Sequence, residues 1–519
     1  MDVVELWTGR HANALRLALR LTNEAMARQL GTAVRTVAKW NAEPEVVPSP
    51  ELQRALDTML SRATDDERRR LGLVFAATRA EREIDAASET RLATDDAANQ
   101  ALSWLDEAAS WTDGSARRLV ARLAREVDPR RVQDLARARS RVSRNDIAKF
   151  LRAYYDLPAA GYGAFRASVG GIIAETSVLT RPDWLDLKVR LGDSLERFVL
   201  DDGRDALLTS LDRTAAEAAA QRLAVGLATG GRLVNSTLYR LTDLVIRRGG
   251  IEGAVALTDF VTYALTMDLL EGETIDAIVA NLPPEPDSTP LRAQFLPTVD
   301  SVIRFGDRLC AGGPLALFAA ARPATRTRRK PDFVLLVQQR SGRVLNAAHR
   351  LAVIPKAFHQ PMVDLRAEAA ISMTLNREME EELFGRPEVD STGDGFRLAE
   401  PLHPSRLTPP FRALLNDMDN WRMECSGFGL NLVSGNFEFA SVIVIEDEDW
   451  WHTHGGSIQA NWEADGLRQY SSLDRELIAH LVHDASWSNE GLFAFLQGLR
   501  RLAEIGGDRV DLPAIEWEL

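Results

Sequence analysis

The chain has only two cysteines, Cys310 and Cys425, in 519 residues, which excludes a disulfide framework and a cysteine zinc site. It also lacks any apolar stretch near the roughly 20 residues that span a bilayer. Its most apolar run, 315–321, is far shorter. The start, Met1-Asp2-Val3-Val4-Glu5-Leu6, has neither the basic nor the apolar region of a signal peptide. A soluble cytoplasmic protein with no membrane partner is expected. Positive charge is in deficit too. A net charge of −13 argues against a protein that coats nucleic acid over its whole surface, and leaves room for one small domain that binds DNA locally.

What is present is an ordinary globular composition, 45% hydrophobic and 26% charged, in a chain too long for one core. The expected fold class is multidomain α and α/β. The pattern divides into an all-α domain over 1–65, a helical connector over 66–156, a mixed α/β region over 157–323 and an α/β domain over 331–519.

The first domain reads as four helices. Leu15 and Leu19 stand at helical spacing in 12–20, and Thr22 N-caps a second helix ending at Leu30. Gly31 occupies a tight turn that requires positive φ. A third helix over 33–40 has Val34, Val37 and Trp40 as its expected inner face. A fourth starts at Pro50, with Leu52, Leu56 and Leu60 inward. The stretch 21–40, LTNEAMARQLGTAVRTVAKW, resembles the helix-turn-helix of phage-repressor (XRE or Cro-like) regulators. That resemblance implies that the third helix enters a major groove of double-stranded DNA. Thr32, Ala33, Arg35, Thr36 and Lys39 would then face bases or phosphates, and Arg28 and Gln29 would hold the backbone. One such unit binds weakly, so a homodimer on a palindromic site is expected.

The connector is rich in Ala, Arg, Glu and Asp and poor in Gly and Pro, as long helices are. Its arginines at 130, 131 and 137–144 read as a solvated face, with a contact to DNA as the alternative. In the mixed region, 172–179, 238–246 and 254–258 read as strands, and 260–280 as one helix whose Asp268, Glu271, Glu273 and Asp276 read as a solvated face, with metal binding as the alternative. No catalytic motif stands out there. Arg326, Arg328, Arg329 and Lys330 make a short basic hinge.

The acidic stretch 376–385, NREMEEELFG, is the most chemically suggestive. On an α-helix, Glu378, Glu381 and Glu382 stand at i, i+3 and i+4 and share one face. Such crowding repels unless a divalent cation or basic partner compensates it, and magnesium prefers carboxylate, phosphate and water oxygens. A solvated acidic helix is the alternative. The stretch resembles the R-E-U-x-E-E core of the Nudix box, with three departures: Ala369 stands at the upstream glutamate position, Phe384 at the closing glycine, and the usual glycine ahead of the box is missing. The resemblance implies a Nudix-like α/β/α sandwich, with strands over 333–339, 424–433 and 438–446 and closing helices over 474–482 and 489–505. It further implies Mg2+ on Glu378, Glu381 and Glu382, and Arg377 orienting Glu378, with Glu368 the nearest partner. Lys356 and His359 could touch phosphate or move a proton, and Trp451, Trp462 and Tyr470 could stack on a base, although a structural role is the stronger reading for His359 and a core or rim place for the three aromatics.

Two functional readings follow. One is a sequence-specific transcription regulator whose Nudix-like domain senses a nucleotide-related ligand. The other is a Mg-dependent hydrolase of nucleoside diphosphate derivatives with an accessory DNA-binding domain. A scaffold that makes only protein contacts is a third.

Overall fold

The computed structural model describes residues 4, 6–44, 46–72, 95–202, 210–230, 234–247, 249–326, 328–341, 349–387, 402–458, 461 and 464–519. The chain forms two compact units, Met1–Asp95 and Asp96–Leu519.

Helices α1 (Gly9–Ala18), α2 (Asn23–Leu30), α3 (Val34–Ala42) and α4 (Pro50–Arg62) build the first unit. Local chemistry sets their ends. The Thr22 hydroxyl accepts from the Ala25 N–H at 3.1 Å, and Gly31 closes α2 in the left-handed region at φ 66°. Trp7, Leu15, Met26, Val37, Trp40 and Leu56 form the core, and Leu52 and Leu60 pack partly against it. Fully burying a side chain of this size contributes about 1.5–3 kcal/mol. Val34 departs from expectation. At 42% exposure it faces out, on the side of α3 away from the buried Val37 and Trp40.

The second unit is organised by one ten-stranded mixed sheet among the described residues. Its strands are β1 (Gly163–Val169), β2 (Ile172–Thr180), β3 (Leu185–Arg190), β7 (Gly312–Arg322), β8 (Asp332–Arg340), β9 (Leu351–Val353), β10 (Trp421–Asn431), β11 (Phe437–Ile445), β12 (Ala464–Ser471) and β13 (Ile515–Glu518). The main order is β12-β8-β7-β11-β10-β2-β1-β13, with β9 on β8 and β3 on β10. A smaller sheet joins β4 (Glu196–Leu200), β5 (Thr237–Arg247) and β6 (Gly250–Asp259). Strands from 157–323 and from 331–519 therefore share one sheet, and the boundary expected between them runs through the β7–β8 pair.

The apolar run at 315–321 is the middle of β7, buried on both faces and parallel to β11. On one face Leu317 meets Gly498 of the terminal helix (Asn489–Ile505). On the other, the Phe318 ring lies 6.2 Å from that of Trp450, in the helix Glu448–His454. Helices thus cover both faces of a mixed sheet. No helix among the described residues is long and apolar enough to cross a membrane.

Three other expectations change. The helix expected over 260–280 is two, Phe260–Ala264 and Leu269–Val279. Its acids are not a solvated face. Asp268 is buried against Arg222 at 2.9 Å, Glu273 accepts from the Leu291 and Arg292 amides, and Asp276 pairs with Arg139. In the basic hinge, Arg328 pairs at 3.0 Å with fully buried Asp332, which also takes Arg322. Trp462 and residues 388–401 lie outside the described residues.

Candidate functional site

Two short helical stretches carry the expected site residues, one in each unit. In α3, Val37 and Trp40 turn inward. Arg35 and Lys39, about a hundred degrees per residue away from that face, turn to solvent with Val34 and Ala38. Arg28, Gln29 and Ala33 are exposed, and Thr32 and Thr36 are half-buried. Lys39 meets Glu43 at 3.5 Å with both side chains more than half exposed, a pair too wet to hold it. All seven residues expected to meet DNA are therefore accessible, on and beside one helix end. Val34, expected inward, is exposed beside them.

The acidic stretch behaves in the opposite way. The box helix, Ile371–Glu378, continues as a wider turn over Met379–Leu383, in which the Phe384 N–H reaches back five residues to the Met379 carbonyl at 3.0 Å. The wider turn takes up one extra residue. Gly385, at φ 73°, then supplies the left-handed turn one place later than the Nudix pattern puts it. Phe384, at the pattern's glycine position, packs beside Phe411 and Trp450.

Glu378, Glu381 and Glu382 are 8%, 7% and 1% exposed, and Glu380 is fully buried. The solvated-helix alternative does not hold. The wide turn interrupts the α-helical i, i+3, i+4 register on which a shared face was expected. Glu378 takes the Arg377 guanidinium through Nη2 at 2.9 Å, and Arg377 also donates to the Gln360 carbonyl. Glu382 accepts from the Lys356 backbone N–H at 2.8 Å. Glu380 accepts from the Thr408 hydroxyl and amide and has Arg386 at 3.7 Å. Glu368 is not a partner of Arg377; it accepts the backbone amides of Met362, Val363 and Asp364. Among the described residues no group of three or more His, Cys, Asp or Glu stands ready to hold a metal ion. A hard cation needs several carboxylate oxygens converging on one point. In this structure Glu378 is engaged by the Arg377 guanidinium and Glu382 by the Lys356 amide.

Lys356 and His359 are not placed for phosphate. Lys356 Nζ lies 2.5 Å from Glu490 Oε1 in an interior cluster with Asn431 and Glu438. Burial pushes Glu490 upward, but the Lys356 ammonium overrides it and leaves that carboxylate below its ordinary range. Glu438 has no such cation in contact. Burial, with Glu490 nearby, pushes it up to about 8. His359 is wholly buried, and burial pushes it down to about 3. Its Nε2 donates to the Ala369 carbonyl at 2.9 Å, which makes Nδ1 the acceptor for the Thr374 hydroxyl at 2.8 Å. A neutral imidazole with both nitrogens engaged is a strut, not a proton carrier.

The middle region, silent in sequence, supports the box. Glu196 Oε1 accepts the Ser372 amide at 2.9 Å, capping a box helix that has no side-chain cap of its own. The Tyr239 ring packs 4.5 Å from that of His359. Neither contact has a local signal, since each joins segments far apart in the chain. Tyr470 lies in β12, partly packed against the core. Compared with protein-family models and with curated proteins, the chain gives no match.

Proposed function

We propose that this chain is a sequence-specific transcription regulator that binds double-stranded DNA as a homodimer in the cytoplasm. Its Nudix-like region, in this reading, senses a nucleotide-related small molecule. The observation that carries the proposal is the outward side of α3, where Arg35, Lys39, Val34 and Ala33 are exposed beside a well-packed core. A recognition helix needs that division: inward residues fix the helix, and outward ones reach base edges and phosphates. The resemblance of 21–40 to XRE-type repressors supports the same reading. The buried, internally paired acids of the box favour a region that binds and responds over one that turns substrate over. Genomic footprinting of the protein beside Arg35→Ala tests it. A discrete palindromic site lost in the variant is the expected result, and no site-specific occupancy would sink the proposal.

A second reading, the Mg-dependent hydrolase, has one observation in its favour: Arg377 holds Glu378, as the Nudix resemblance implies. It requires Glu378 and Glu382 to exchange their present partners for a cation. Magnesium-dependent turnover of nucleoside diphosphate compounds, abolished by Glu381→Gln, would establish it.

A further inference from the structure

The helix Pro129–Ser140 lies in a strongly basic stretch of an acidic protein. From 117 to 141 the sequence holds nine arginines and three acids, a local +6 within a net −13. The helix buries none of its own residues. Arg139 fastens it to the rest of the unit, its guanidinium meeting Asp276 at 2.7 and 2.5 Å. Arg130, Arg137 and Arg141 recur at i, i+7 and i+11, a stripe on the side opposite Arg139, with Arg131 at its flank. All four are exposed. The pair between Arg137 and Asp134, 3.2 Å long and about 70% exposed, is worth little. Arg144, at the end of the same sequence run, is buried and donates to the Glu175 carbonyl, so it plays no part.

Helix stability accounts for Arg137 and Arg141, at the C-terminal end where the dipole favours cations, but not for the two arginines at the other end. Arg130 and Arg131 stand in the first turn, which has no acidic residue, where the helix dipole disfavours cations. Nor does the stripe fit a bilayer surface, which asks for an apolar face beside the basic one. Leu135 is the only large exposed apolar side chain on this helix. What it fits is a dense, regular line of phosphates. The stripe covers about 16 Å of helix axis at about 1.5 Å per residue, and duplex DNA carries a charge per about 1.7 Å. Guanidinium groups also grip phosphate oxygens in pairs.

We propose that the arginine stripe of 130–141 is a second, sequence-independent DNA contact that grips duplex phosphates. The proposal rests on the DNA-binding reading and extends it to the second unit. The test uses the full chain, a random-sequence duplex and fluorescence anisotropy across a salt series. Wild type is compared with an Arg130→Ala, Arg131→Ala, Arg137→Ala, Arg141→Ala variant, with the same four positions changed to Lys, and with Arg35→Ala. Alanine favours helix and no buried atom is lost, so an unchanged melting curve serves as the folding control.

The expected result is a salt slope lower by about 3–4 in the alanine variant, at about 0.9 per phosphate released, with most of it kept in the lysine variant. An unchanged slope overturns the stripe and leaves the regulator reading standing. No DNA binding by wild type overturns both. If the alanine variant loses all DNA binding while Arg35→Ala keeps both its affinity and its site preference, the stripe stands and α3 is not the reader. If the alanine variant instead loses binding to phosphatidylserine vesicles and none to DNA, the partner is a membrane surface and the proposal fails.

Discussion

Helix α3 and the box helix are both short, both charged, and put their charge to opposite use. The first packs two side chains inward and leaves Arg35 and Lys39 in water. The second buries four glutamates, and each of Glu378, Glu380 and Glu382 has a donor from elsewhere in the fold. The difference teaches how to read charge in a sequence. An exposed charge costs little and is open to a partner. A buried charge must be matched on the spot, and the groups that match it are no longer open to a ligand.

The sharpest way to break this comparison is to remove a matching group. Arg377→Ala leaves Glu378 buried without its guanidinium, and urea denaturation should show a loss of about 3–5 kcal/mol. A loss under about 1 kcal/mol would mean that the carboxylate reaches water and that the contrast is overstated. The corresponding deletion in α3 should act on binding alone. Arg35→Ala should weaken operator binding by about 1–3 kcal/mol, as for one bidentate base contact, and leave the melting temperature unmoved. A clear drop in melting temperature would show that Arg35 is part of the fold. Thr22→Ala, which removes the α2 cap, should lower first-unit stability by about 1 kcal/mol without changing the box.

The subtlest test concerns pH. Glu438 is raised in the fold to about 8, so its contribution is present below the ordinary carboxylate range and is lost as pH rises through 8. Glu438→Gln, which imitates the protonated form, should flatten the fall of melting temperature between pH 5 and 8, by at most about 1.4 kcal/mol per pH unit. His359 acts at the other end. With its folded value near 3, the unfolded chain alone takes up that proton below about 6.5, so stability falls as pH drops from there toward 3. A melting curve flat from pH 6.5 to 4 would contradict the buried neutral imidazole.

What was legible in the sequence was local. The Thr22 cap, the left-handed Gly31 and the terminal helix over 489–505 all follow from neighbours within a few residues. The candidate DNA-facing residues were legible for the same reason, apart from Val34, whose side of the helix depends on which residues the other helices cover. The box was legible as a string and not as a site. Its wide turn, its burial and the Glu196 cap arise from contacts with segments far away. Spacing along one helix cannot reveal a carboxylate's partner when that partner is a backbone amide at Lys356. The shared sheet was hidden too, because a strand's sequence does not say which distant strand it will lie beside.

That sheet also bears on how the protein is made. Val169 of β1 pairs with Ile515 of β13, and β10 pairs with β2, so the earliest strands of the sheet finish their edges on strands translated much later. A growing chain must carry β1 and β2 with bare hydrogen-bonding edges through most of the synthesis of this unit. Exposed edges of that kind invite wrong partners. Folding of the second unit is thus a late event in the life of the nascent chain, while α1 to α4 can close as soon as they emerge.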